Sequence, residues 1–381
     1  MPTVIPWFGF VLGLVIVLIT FGSMINTLVV PRPNSSRISY LSWRATQLLF
    51  LQIAKRLSSY EAKDRVLALL GPVSLITLLL TWLVLLITGY ALLLWPQVQD
   101  DFGQALRISG SSIFTLGIAF AGGADPTILI FLAAATGLTA IALLIGYLPS
   151  IYGAYNRRET QVTMLESRAG EPAWGPELLA REAFINALDT LPQFYTDWER
   201  WAADLAESHV SYPWLIWFRS PHPLRSWIIG LLSVLDSAAL YLALSPSQAP
   251  SEARSCLRMG FTAFRNIAGV FNLPYNVDPL PNDPIMLTYD QFLEGIERIR
   301  MSGFDMERTP EEAWPHFRGW RVNYESIAYS LADLVVVVPS LWSGPRRYIP
   351  TGPIAPRRPK QRSPEHPEGV EKMTREKQKF L

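Results

Sequence analysis

The chain has 381 residues, of which 50% are hydrophobic and only 17% are charged, well below the roughly 25% charged share of soluble domains. This composition predicts a membrane protein, and a net charge of +1 gives no reason to expect nucleic acid as a partner. One cysteine, Cys256, excludes an internal disulfide, and the four histidines lack ligand spacing, so we expect no metal site and no cofactor.

Three stretches of the first 157 residues contain no charged side chain. They cover residues 1–31, 66–95 and 126–156. Each is longer than the ~20 residues that cross a ~30 Å hydrocarbon core at 1.5 Å rise per residue. The sequence therefore predicts an all-α membrane protein with three transmembrane helices. The first is not a cleavable signal peptide, because its apolar stretch is too long for one and no basic residues precede it.

The segment 32–65 between the first two spans is basic. It predicts the cytoplasmic side, because cytoplasmic loops retain an excess of Lys and Arg, and it places the N-terminus outside the cell. Its apolar and polar residues also fit a helix that lies on the membrane surface or, equally well, packs against the cytoplasmic domain. The basic residues of this segment are Arg32, Arg37, Arg44, Lys55, Arg56, Lys63 and Arg65, against Glu61 and Asp64.

The segment between the second and third spans is too apolar for a solvated loop. Asp100 and Asp101 are suited to cap a helix over residues 102–113, which ends near Ser111 and Ser112. A glycine-containing stretch, 114–125, follows and leads into the third span. A short helix that enters the membrane and returns as extended chain is tolerated only where its backbone faces water or protein, so we expect a pore helix and a re-entrant loop here.

The order of span, short helix, Thr115-Leu116-Gly117-Ile118-Ala119 and span resembles the pore module of bacterial potassium-channel-like proteins. In that family the loop reads Thr-Val-Gly-Tyr-Gly, and its carbonyl oxygens replace the water around the ion. The resemblance implies that this loop is the filter of a homotetramer that conducts monovalent cations, K⁺ among them. Ile118 and Ala119 depart from the family pattern, which leaves ion selectivity undefined and a non-conducting relative as the alternative. An ordinary apolar loop in a membrane bundle is the structural alternative.

Other residues are candidates for the mouth and the gate of such a pore. Asp100, Asp101 and Asp125 are placed to surround the external mouth with negative charge, although each also suits a solvated loop or a helix cap. In the third span, two glycines and a proline are typical either of a hinge near the inner gate or of close helix packing. These three are Gly137, Gly146 and Pro149.

The remainder predicts a linker at 158–176, a helical cytoplasmic domain at 177–343 and a disordered, basic, proline-rich tail at 344–381 whose charge suits membrane lipid. Residues 227–244 fit either a buried core helix or a fourth span, because Asp236 stands in the middle. The pattern at 206–227 extends the resemblance over residues 66–250. His209 is expected to be a hydrogen-bonded core or capping residue, with pH sensing as the alternative.

These patterns predict a potassium-channel-like cation channel with passive conduction, located in the cell membrane. The alternative is a non-conducting membrane scaffold whose cytoplasmic helical domain binds a protein partner. We expect no catalytic residue, because no strand-turn-helix elbow positions a nucleophile and no phosphate loop is present.

Overall fold

The computed structural model describes residues 4–30, 36–98, 101–122 and 124–345. Within these ranges every regular element is a helix, as the sequence predicts. The chain divides into two compact units, Met1–Gly153 and Ala154–Leu381. The tail predicted at 344–381 lies outside the described residues from 346 onwards.

The described residues of the first unit form six α-helices, the last of which ends in the second unit. Four of these helices, α1, α4, α5 and α6, match the three predicted spans and the predicted short helix. The six are α1 (Val4–Leu28), α2 (Arg37–Lys55), α3 (Tyr60–Leu67), α4 (Leu70–Leu94), α5 (Phe102–Ile113) and α6 (Ala124–Ala169).

The described residues include four helices that are long and apolar enough to cross a membrane, which supports a membrane protein. These are Ile5–Leu28, Tyr60–Gln97, Pro126–Ala169 and Trp227–Leu244.

Close contact between small residues brings α1 and α4 together. A Cβ atom added to Gly13 would lie 2.6 Å from the carbonyl oxygen of Gly89, so only glycine permits this crossing. Further along the same pair, the indole Nε1 of Trp82 donates a hydrogen bond to Ser23 Oγ at 3.0 Å. Small residues and interhelical hydrogen bonds are the usual basis of helix packing in membranes.

The second unit is a bundle of helices around one fully buried helix, α9. All residues of α9 are buried, and it packs against α7, α8, α10, α12 and α13. Its helices are the end of α6, α7 (Gly175–Phe184), α8 (Leu191–Ser211), α9 (Trp227–Leu244), α10 (Ser251–Val270), α11 (Tyr289–Arg300), α12 (Pro310–Arg321) and α13 (Glu325–Leu334).

An ion pair makes Asp236 tolerable in the middle of α9. Arg321 Nη1 donates to Asp236 Oδ2 at 2.5 Å, and the Tyr324 hydroxyl donates to Asp236 Oδ1 at 2.8 Å. Arg321 also bonds Glu325 and is itself 0% exposed. A buried charge is stable only when it is paired and hydrogen-bonded, and here both carboxylate oxygens of Asp236 have partners. In this structure α9 is the central helix of the second unit.

The predicted linker at 158–176 differs from the structure, because α6 continues as a helix to Ala169. Arg158 explains part of this continuation. Its buried guanidinium donates to the carbonyl oxygens of Leu215 and Phe218 at 3.0 and 2.5 Å and pairs with Glu159. The final turns of α6 are therefore held by the second unit, and the irregular segment is confined to the few residues before α7.

Candidate functional site

The short helix α5 occupies the positions that the sequence predicts for the pore helix. Its N-cap is Asp101, whose Oδ1 accepts a hydrogen bond from the backbone N–H of Gln104 at 3.2 Å. A capping carboxylate satisfies an otherwise unpaired N–H and interacts favourably with the helix dipole. Capping is thus the observed role of Asp101. Asp100 lies outside the described residues, and the side chain of Asp125, in the first turn of α6, also lies outside them.

Packing against α4 fixes the position of α5. Ser109 Oγ donates to the backbone oxygen of Ile87 in α4 at 2.7 Å. Ala105 and Ile108 are fully buried, in one apolar cluster with Leu94 and other residues at the end of α4. One face of α5 therefore has small and apolar residues that pack against α4. This packing fixes the position of the helix within the first unit.

The carboxyl end of α5 turns sharply at Thr115. The N–H of Leu116 donates to the oxygen of Ser111 at 2.7 Å, and the N–H of Thr115 donates to that of Ser112 at 2.9 Å. This pair of bonds is the Schellman arrangement, which needs left-handed backbone at its central residue, and Thr115 has φ 53°. Glycine or asparagine usually fills that position, whereas a β-branched residue there is an outlier. Thr115, the first residue of the predicted filter, is therefore conformationally strained.

After Gly117 the chain runs back along α5. Gly117 has φ +67°, and the next two N–H groups, those of Ile118 and Ala119, donate to Ser111 Oγ at 3.0 and 3.3 Å. Ala119 and Ala121 pack against the cluster that contains Ala105, near the start of α5. The segment is thus a helix, a turn and an irregular return along that helix.

The predicted filter residues lie on the surface of the single chain. Leu116, Ile118 and Phe120 are 58%, 78% and 74% exposed, and a Cβ added to Gly117 would meet no atom within 4 Å. Residues 116–122 form neither helix nor strand, so their carbonyl oxygens are not used in regular secondary structure. A contiguous group of exposed apolar side chains indicates a surface that binds lipid or another protein.

The two serines of the predicted pore helix have different roles. Ser111 Oγ receives the two loop N–H groups, whereas Ser112 Oγ bonds the Ile108 oxygen one turn earlier in α5. Their residue type and spacing alone do not distinguish these two roles. The available signal was position, because a serine in the last turn of a helix can reach the residues just beyond a following glycine.

Gly137 lies against the end of α5. A Cβ added there would lie 2.2 Å from the carbonyl oxygen of Ile113, so this glycine allows α6 to touch the carboxyl end of α5. The structure favours the packing alternative for Gly137. Gly146 has open space around it, and α6 continues without interruption through Pro149.

His209 in the second unit is buried and hydrogen-bonded. Its Nδ1 lies 2.9 Å from the oxygen of Leu205 and its Nε2 lies 3.3 Å from Arg158 Nη1. This places the proton on Nδ1 and leaves Nε2 to accept from the guanidinium. Burial lowers the pKa of His209 well below its usual value, and the charge of Arg158 lowers it further, so the ring is neutral.

No family model, no curated protein and no solved structure matches this chain.

Proposed function

We propose that the first unit is the pore-forming module of a tetrameric cation channel in the cell membrane. One observation carries the proposal: an irregular segment doubles back along a short capped helix, with left-handed backbone at Thr115 and Gly117 and with Leu116, Ile118 and Phe120 exposed. Strained backbone that the surrounding structure holds in place is typical of ligand-binding and switching sites.

Four such segments around an axis would line a path with carbonyl oxygens, which replace the hydration shell of a cation during passive conduction. Each chain supplies one segment, so a closed path requires several copies arranged by rotational symmetry. The exposed side chains of Leu116, Ile118 and Phe120 supply apolar surface that neighbouring copies would cover. The basic segment at 32–65 supports an orientation with the N-terminus outside and the second unit in the cytoplasm.

Ion selectivity depends on the outer half of the segment. Thr115 and Gly117 have left-handed backbone and Ala119 does not. A regular stack of inward carbonyls needs left-handed backbone at both glycine positions of the family pattern, which are Gly117 and Ala119 here, so we propose a cation pathway in which K⁺ is one candidate ion. The same observation favours a second function, a non-conducting scaffold in which this loop only joins subunits and the second unit binds a protein partner.

Currents from the purified full chain in planar lipid bilayers test the proposal. Gly117→Ala forces an L-residue into left-handed backbone in every subunit, at a cost of roughly 1–2 kcal/mol each, and we expect it to abolish most of the current. Gly122→Ala is the matched control, because Gly122 also has open space but no left-handed φ. Equal currents in the two variants would show that the ions do not pass this loop.

Subunit number is measured in parallel by native mass spectrometry. A tetramer that carries no current supports the scaffold, and a monomer rules out both a pore and a subunit-joining loop.

A further inference from the structure

The helix α2 has its polar side buried and its apolar side exposed. The residues that it buries are Ser39, Ser42, Thr46, Gln47 and Ala54, four of which are polar. In a helix that covers a water-soluble protein the order is the opposite, with apolar residues inward. The inversion indicates that the outer side of α2 does not face water.

Hydroxyl groups explain why the polar side is stable inside. Ser39 Oγ lies 2.7 Å from Thr27 Oγ1 and 2.9 Å from Ser36 Oγ, and Ser36 Oγ lies 2.5 Å from Ser23 Oγ. Two helices, α1 and α2, are joined by this network. Hydroxyl pairs of this kind hold helices together in a membrane, where a polar side chain facing lipid would lack a partner.

The outer side of α2 is apolar, like the two long helices beside it. Leu41, Leu48, Leu49 and Ile53 are 64%, 45%, 56% and 42% exposed. The helix packs on α1 and α4, both of which are long and apolar enough to cross a membrane. Lipid that surrounds those two helices would also reach the leucines of α2.

The charge of α2 matches one kind of lipid surface. Arg37, Arg44 and Lys55 lie in the helix and Arg56 follows it, and the helix has no acidic residue. A basic helix with an apolar side binds most strongly to membranes that contain anionic lipid, because acyl chains and headgroups are engaged together.

We propose that α2 is a binding surface for anionic phospholipid. Its leucines contact the acyl chains, and its basic residues contact the phosphate headgroups of the leaflet on that side. The proposal is independent of the pore, since it depends only on α2 and its packing within the first unit.

Spin labels in the full chain, reconstituted in nanodiscs with anionic lipid, test the apolar contact. Leu49→Cys is prepared in a Cys256→Ala background, because the native thiol is buried and would otherwise compete after partial unfolding. We expect the Leu49→Cys label to collide severalfold more often with oxygen, which concentrates in lipid, than with a water-soluble nickel complex. Val277→Cys is the control, since Val277 is 70% exposed in the second unit.

Three results would overturn the acyl-chain contact. In the first, the nickel complex reaches the label at Leu49 as often as the label at Val277. In the second, the second unit protects the label at Leu49 from both oxygen and nickel. In the third, spin–spin broadening shows that a second copy of α2 lies next to Leu49.

The headgroup contact is tested by native mass spectrometry of the full chain with phosphatidylglycerol and phosphatidylcholine in competition. Each basic residue near an anionic leaflet changes affinity about fivefold. Lys55→Gln with Arg56→Gln is therefore expected to reduce the preference for phosphatidylglycerol by roughly 25-fold. Arg254→Gln with Arg258→Gln, two exposed positions of α10, is the matched control and should leave the preference unchanged. An equal loss in both pairs, or none in the first, contradicts the proposal.

Discussion

Replacing Gly137 by alanine tests whether α6 packs closely against the carboxyl end of α5. The new Cβ would lie 2.2 Å from the Ile113 oxygen, and an ordinary contact is about 3.5 Å, so one helix has to move by roughly 1 Å. The obstacle is backbone, which cannot rotate aside as a side chain can. Overpacking costs about 1–3 kcal/mol, and a rigid carbonyl places this case at the upper end.

Gly146→Ala, in the same helix, isolates that cost. Gly146 has no neighbour within 4 Å of its new Cβ, and both variants gain the same helix propensity. The difference between the two is therefore the clash alone, about 3 kcal/mol, which corresponds to roughly 6–12 °C in the midpoint of thermal unfolding in detergent. Equal midpoints for the two variants would refute the close contact between α6 and Ile113.

Three further outcomes are expected. Thr115→Gly relieves the strain of left-handed backbone and should stabilise the chain by about 1 kcal/mol, measured as a higher midpoint of thermal unfolding. If Thr115 serves conduction, the same variant also reduces the current. A lower thermal midpoint would contradict the left-handed turn at Thr115. Burial lowers the pKa of His209 in the folded protein, and the charge of Arg158 lowers it further. Just below pH 6.5, therefore, the His209 ring takes up a proton only in the unfolded state. The full contribution of His209 to the free energy of unfolding is therefore present above pH 6.5. Below that pH the free energy of unfolding decreases by about 1.4 kcal/mol per pH unit, a slope that denaturant titrations should show and that His209→Gln should remove. Arg321→Met leaves the buried carboxylates of Asp236 and Glu325 without a counter-charge, and it should lower the free energy of unfolding by about 3–5 kcal/mol in denaturant titration. Arg300→Met, which removes the exposed pair with Glu297, should lower it by under about 1 kcal/mol.

Sequence patterns defined the elements of the first unit better than their contacts. Uncharged runs and the Asp101 cap are local signals, and the helix at Phe102–Ile113 has the predicted bounds. Gly137 could not be assigned to packing, because that role depends on the distance to a carbonyl 24 residues earlier in the chain. The inverted burial of α2 was equally out of reach, since amphipathic spacing shows two faces but not which one is covered.

Long-range pairs account for the differences in the second unit. Arg158 lies two residues after an uncharged run and looks like the start of a loop, yet its partners His209 and Leu215 lie more than 50 residues later. The choice between a core helix and a fourth span at 227–244 likewise depended on Arg321, which no local pattern connects with Asp236.

The burial of α9 has a consequence for biosynthesis. Residues 227–244 leave the ribosome as a segment apolar enough to enter the membrane, and the arginine that neutralises Asp236 follows 85 residues later. At 5–20 residues per second the interval is roughly 4–17 seconds. During that time the unpaired carboxylate raises the cost of insertion, and the apolar segment stays open to aggregation until the neighbouring helices cover it.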